Sequence, residues 1–343
     1  MLAAAMFRSI KFKPLAALAL MLLVVSLSVE RCDAAVAQMA PTSARVDLMP
    51  IEVDLEDAER RNFGSLRLLS AFQLNSKDRR FGGLSGLSIA DDGRLYAISD
   101  RGYLLSATTV IERSGVLSSL VDWRIAPLLT RKRTPVNGRW RDAEALARAP
   151  DGSFLVAFEG VHRIWRYPAP PQVFESAPRA VEIPPAVSRA PTNGGIEALT
   201  VLPDGRLLAL TEEFENRDGS FKGWLIGNGV SAELSYVPAG GFRVTDCTAL
   251  DNGDVLVLER RYVFPGSLSA RVTLVKAGSL KPGARLVGKE LLMLEHPLAA
   301  ENYEGITAAR TPQGTIIFIV SDDNYGFFQQ TLLLQFLLPN PRD

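Results

Sequence analysis

The sequence predicts an all-β fold, a β-propeller whose ring is closed by an N-terminal strand. Three observations carry this reading. A hairpin signature recurs five times, the flanking runs are apolar almost continuously, and no helix-length amphipathic segment interrupts them.

The signature is a turn between two apolar runs: Asp92-Gly93, Asp151-Gly152, Asp204-Gly205, Asn252-Gly253 and Gln313-Gly314, spaced by 59, 53, 48 and 61 residues. Asp-Gly or Asn-Gly between strand-like runs, as in "LTVLPDGRLLALT", is a strong hairpin signal. Apolarity on both faces implies strands covered on both sides, as in sheets stacked around a ring. Further extended segments follow, such as "KGWLIG" and "AELSYVP" after the third hairpin and "ARVTLVKAG" and "KELLMLE" after the fourth. Four strands per period make a blade. The fifth hairpin is followed only by "TLLLQFLL", so the missing strand is assigned to "SLRLLSAFQL" near the N-terminus, which would protect the edge. The signatures count five blades. Residues 45–80 leave room for a sixth, although they hold only two plausible strands. The Pro-rich stretch from Pro168 to Pro191 reads as a stiff inter-strand loop.

The 343 residues, 47% hydrophobic, suffice for a large core, and with a formal charge of zero no global field argues for nucleic acid or a membrane surface as a partner. Arg8, Lys11 and Lys13 precede an apolar run from Pro14 to Val29, and Ala35-Val36-Ala37 offers a cleavage site. Residues 1–37 therefore read as a signal peptide and 38–343 as one domain, periplasmic or secreted. The alternative, a retained anchor, needs about 20 spanning residues, and the run is shorter. Cleavage would remove Arg8, Lys11, Lys13 and Arg31, with Glu30 and Asp33, leaving 34 basic against 36 acidic residues. Of the two cysteines only Cys247 would remain, which excludes an internal disulfide and suits a small buried residue.

Acids recur at fixed places around the turns. Seven residues before the turn residue stand Glu144 and Glu197, with Ser85 in the first repeat; Asp246 and Glu304 are assigned there with small shifts. Eight residues after it stand Asp100, Glu159 and Glu212, with Glu259 and Asp322 displaced by one. In an antiparallel hairpin both places lie at one end. If the first strand of each blade is innermost, about nine carboxylates share the mouth of the central channel. Such a set needs a cation, raised pKa values or neighbouring arginines. Oxygen donors without His or thiolate suit Ca²⁺, less often Mg²⁺ or Mn²⁺. Arg101, Arg141, Arg260 and Arg261 lie beside the acids and either neutralise them or hold an anionic substrate. Trp140, Tyr303 and Tyr325 are placed to stack on a ligand or to pack in the core.

Competing chemistries fare worse. His162 and His296 are the only histidines, and no G-x-S-x-G elbow occurs. His162 reads as a strand residue, "EFENRDG" as a hairpin turn, and the basic "RKRTPVNGRWR" as a solvated loop.

The motifs "GGLSGLSIADDGRLYAISDRG", "RDAEALARAPDG", "NGGIEALTVLPDG" and "NYEGITAARTPQG…SDDNYG" resemble the bacterial phytase-like family, also called esterase-like activity of phytase. The resemblance covers about residues 80 to 338. It implies an exported propeller with recurrent acids that carry a phosphoesterase activity. "YEGI" and "IEAL" are also similar to strand starts of calcium-dependent propeller lactonases, where such a Glu binds the metal. That points to Glu304, Glu197 and Glu144.

The resulting expectation is an exported hydrolase of a phosphoester or carboxylic ester, acting on a small anionic or ester substrate. A divalent cation, Ca²⁺ first, is held by Glu144, Glu197, Asp246 and Glu304. Glu197, Asp100 and Glu212 are the candidate catalytic carboxylates, and Arg101, Arg141 and Arg260 the substrate-binding cations. The alternatives are a non-catalytic binding propeller and a calcium-dependent lactonase.

Overall fold

The computed structural model describes residues 40–340 except 228 and 265, so the expected leader and Cys32 lie outside the described residues. Among these residues the only helices are short 3₁₀ turns, and none is long and apolar enough to cross a membrane. Five sheets make five blades. Their innermost strands are Leu84–Ile89, Ala143–Arg148, Ile196–Val201, Arg243–Ala249 and Tyr303–Thr311 for blades one to five. Each inner strand packs on the next, and the fifth packs back on the first. The ring has five blades, which decides between five and six.

Each second strand pairs antiparallel with its inner strand through the expected turn. In four blades the turn Asp or Asn accepts, through its side-chain oxygen, the N–H two residues on: Asp92, Asp151, Asp204 and Asn252, each at 3.0 Å. The glycine that follows takes a φ of 80° to 84°, which a Cβ would oppose. The Asp-Gly signature is therefore a local structural device. It fixes hairpin register, and register decides which side chains reach the mouth.

Stacking explains the double-sided apolarity. In the blade-two strand Phe154–Phe158, Phe154, Val156 and Phe158 pack toward blade one, while Leu155 and Ala157 pack toward blade three. Period-two alternation thus divides one apolar strand between two cores. Five such cores, one per blade interface, hold the ring together.

The closing strand is where the sequence places it. Leu66–Ser76 pairs antiparallel with Leu332–Pro339, and Val46–Pro50 adds outside it, so both chain ends build blade five. Three edge strands escape the sequence reading. Thr42–Ser43 extends blade one, Arg285–Leu286 extends blade three in parallel, and Arg179–Val181 completes blade two from inside the Pro-rich stretch.

Candidate functional site

The mouth is built by a bulge repeated five times. At the start of every inner strand the register slips by one residue, leaving Ser85, Glu144, Glu197, Thr245 and Glu304 without a partner in the second strand. A bulge of this kind re-aims the extra side chain. The second strands deliver Asp100, Glu159, Glu212 and Asp322 to the same end. Their N–H groups bond the carbonyls of Gly83, Asp142, Gly195 and Asn302, just before each inner strand.

Blade four breaks the pattern. Its bulge residue is Thr245, and its second position is Arg260, one past the Glu259 that pairs with Val244. The shifted assignments of Asp246 and Glu259 are therefore corrected. Asp246 is fully buried, and its oxygens accept the N–H groups of Cys247 and Ile306, both at 2.8 Å. Glu259 is fully buried in a two-point pair with Arg271, at 2.8 and 2.9 Å. Both acids are committed to the fold, because buried carboxylates of this kind need such partners.

Eight acids remain together: Asp100, Asp142, Glu144, Glu159, Glu197, Glu212, Glu304 and Asp322. Asp142 escapes sequence reasoning because it lies outside the repeating offsets. Burial raises the Asp100 carboxyl to about 6, Glu159 to about 7 and Asp322 to about 9, with nearby carboxylates adding to each. Glu144 and Glu197 are pushed well above the usual range, first by burial and then by the acids around them. Burial also raises Asp142 and Glu304, against the nearby positive charges of Arg141 and Arg260 respectively.

These groups differ in what holds them. Glu159 accepts the N–H groups of Gly194, at 2.7 Å, and Gly195, so the "NGG" loop is a cradle for a carboxylate. Glu212 and Glu304 pair with Arg260 at 3.0 and 2.9 Å. Glu197 is 8% exposed and, among the described residues, has neither a hydrogen bond nor an ion pair through its side chain. One oxygen each from Asp142, Glu144 and Glu159 lies within 4.8 Å of the others, a spread that oxygen ligands about 2.4 Å from one Ca²⁺ can span. The donor set therefore fits a hard divalent cation, with Asp142 and Glu159 beside the expected Glu144.

The remaining candidates separate cleanly. Arg101 stacks on Tyr325, its guanidinium 3.2 Å from the ring centroid, beside Asp100. Arg141 is exposed, close enough to Asp100 and Asp142 to draw their carboxyls down. Arg261 turns away to Glu295 and Phe242. Tyr303 is a core residue whose hydroxyl donates to the Ala299 carbonyl, and Trp140 is exposed beneath Arg163. His162 precedes the strand Arg163–Tyr167 rather than lying within it, with its imidazole against Gly195. The space beside Gly195 is so tight that a Cβ there would meet the His162 ring at 2.5 Å.

Comparison with known proteins gives one family. Residues 79–325 match the family described as phytase-like, esterase-like activity of phytase. No curated protein matches the sequence. Among solved structures, the PQQ-bound aldose sugar dehydrogenase of Streptomyces coelicolor is similar at 14% identity and a TM-score of 0.45, over 87% of this chain and 99% of that one. A structure assigned to the gluconolactonases is similar at 14% and 0.43, over 87% and 91%. Virginiamycin B lyase from Staphylococcus aureus is similar at 11% and 0.39, over 84% and 99%.

Proposed function

The chain belongs to the phytase-like family, and from that premise we propose that its channel mouth is the active site of a cation-dependent ester hydrolase, with phosphoesters as the first substrate class. The observation that carries this reading is the convergence of eight carboxylates on one mouth, where burial raises seven of them. Such a site is costly for a structural purpose and suits a cation.

Asp142, Glu144 and Glu159 would hold the cation, and Ca²⁺ is the first choice for an all-oxygen set. When bound, a divalent cation polarises an ester oxygen and acidifies a water molecule. Glu197 is the general base: it is buried beside this group with no partner among the described residues, and the charge of a bound cation would draw its raised carboxyl down so that it is ionised when the ion is present. Glu212 is held by Arg260 and serves position rather than proton transfer. Asp100 has a buried, unpartnered Oδ1 and stands by as a second proton acceptor. Arg101 and Arg141 flank Asp100 and would orient an anionic group. The expected leader makes this an exported enzyme.

Glu197→Gln keeps size and removes charge. It should abolish turnover of phosphomonoesters, phosphodiesters, carboxylic esters and lactones in Ca²⁺, Mg²⁺ or Mn²⁺, with an unchanged fold by circular dichroism. If the wild type turns over none of these with any metal, the mouth is a binding site and not an enzyme's. Full activity in the variant would place the base elsewhere.

A further inference from the structure

Four blades bring an acid to the mouth at the end of the second strand: Asp100, Glu159, Glu212 and Asp322. The fourth blade brings Arg260 to the same place, and Thr245 where three blades have Glu. Arg260 is only partly exposed there. Its guanidinium pairs with Glu212 of blade three at 3.0 Å and Glu304 of blade five at 2.9 Å, and it also reaches the Asn302 side-chain oxygen. Asn302 in turn donates to Glu304 at 2.8 Å. One side chain therefore neutralises two acids across both of its blade's interfaces. The acids that cluster without such a partner, Asp142, Glu144 and Glu159, lie in blade two, and beside them the buried Glu197 has no partner.

We infer that Arg260 is a built-in countercation that occupies one half of the mouth and confines a divalent cation to the half lined by Asp142, Glu144 and Glu159. The inference rests on reading the mouth as a cation site. It explains how eight acids coexist with a single ion, because Glu212 and Glu304 already have their positive charge covalently in place. It also assigns a positioning role: by drawing Glu304 toward blade four, Arg260 leaves Glu197 facing the blade-two acids.

The test is Ca²⁺ binding to the purified protein by calorimetry at pH 8, with thermal stability as a second readout. Wild type should bind one Ca²⁺. Arg260→Gln frees Glu212 and Glu304 and should bind a second, with a larger melting-temperature gain on adding Ca²⁺, whereas Arg260→Lys should still bind one. Glu159→Gln should weaken Ca²⁺ at least about tenfold, while Glu212→Gln changes it by less than about threefold. This last pair decides the matter even if Arg260→Gln does not fold. Equal losses in Glu212→Gln and Glu159→Gln would overturn the partition. So would a folded Arg260→Gln protein that binds no more Ca²⁺ than wild type, although the cation reading would then survive on the wild-type ion. If wild type binds none, the cation reading fails and the partition fails with it, whatever Arg260→Gln binds.

Discussion

Asp246 and Glu197 are both buried acids near the ends of inner strands, yet their surroundings give them opposite tasks. Asp246 satisfies the N–H groups of Cys247 and Ile306, tying blade four to blade five. Removing it by Asp246→Ala leaves two buried donors open and should cost about 1–3 kcal/mol each in urea unfolding, with Ca²⁺ affinity of the folded protein unchanged. Glu197 has no such partner, and its folded pKa lies above the unfolded value of about 4.3. Its contribution is thus present below that value and is lost as pH rises through the folded pKa. Glu197→Gln should raise the melting temperature of the cation-free protein at pH 8 by a few degrees, and have little effect at pH 4. An equal or lower value at pH 8 would show that Glu197 is already compensated. The repeat offsets in the sequence single out Glu144, Glu197, Glu159 and Glu212. In blade four the strict offsets from Asn252 lead to Thr245 and Arg260, the residues that stand there, and the acids one place away, Asp246 and Glu259, belong to the fold. Asp142 belongs to no repeat, so its place at the mouth becomes visible only in the fold.

At the scale of the strand, the bulge sets the site, and the glycines beside it set how closely the inner strands approach. A Cβ on Gly305 would meet Val320 Cγ1 at 2.7 Å and Leu87 Cβ at 3.1 Å, at the contact between blades five and one. Gly305→Val should therefore lower stability by about 1–3 kcal/mol and move Glu304 off Arg260. An unchanged denaturation midpoint would show that the centre of the ring gives way easily. Inner and second strands are legible in the sequence because both faces are apolar and the Asx turns fall at regular places. Thr42–Ser43, Arg179–Val181 and Arg285–Leu286 are not, being two or three residues long and largely exposed. A strand that short at a sheet edge has no periodicity to detect.

The whole molecule is held by closure and destabilised by its own mouth. Deleting residues through Ser76 would remove the three N-terminal strands of blade five, Val46–Pro50, Asn62–Phe63 and Leu66–Ser76, and bare the edge of Leu332–Pro339, where Leu332, Leu333, Leu334 and Phe336 are buried. The truncated chain should be recovered as aggregate, and a folded monomer would mean the ring closes without it. The acids act in the other direction. Asp100, Glu159 and Asp322, raised to about 6, 7 and 9, keep protons in the folded state that the unfolded chain has lost. Their contribution is complete below about pH 4 and declines as pH rises through those values. A cation bound among the carboxylates opposes that decline. The most direct measurement is the melting temperature of the purified protein from pH 5 to pH 9, in EDTA and in Ca²⁺. In EDTA it should fall steadily as pH rises. In Ca²⁺ at a hundred times its Kd the fall should be largely cancelled, by about 2.7 kcal/mol of added stability at pH 8. Superimposable curves in EDTA and Ca²⁺ across that range would contradict a cation site at the channel mouth.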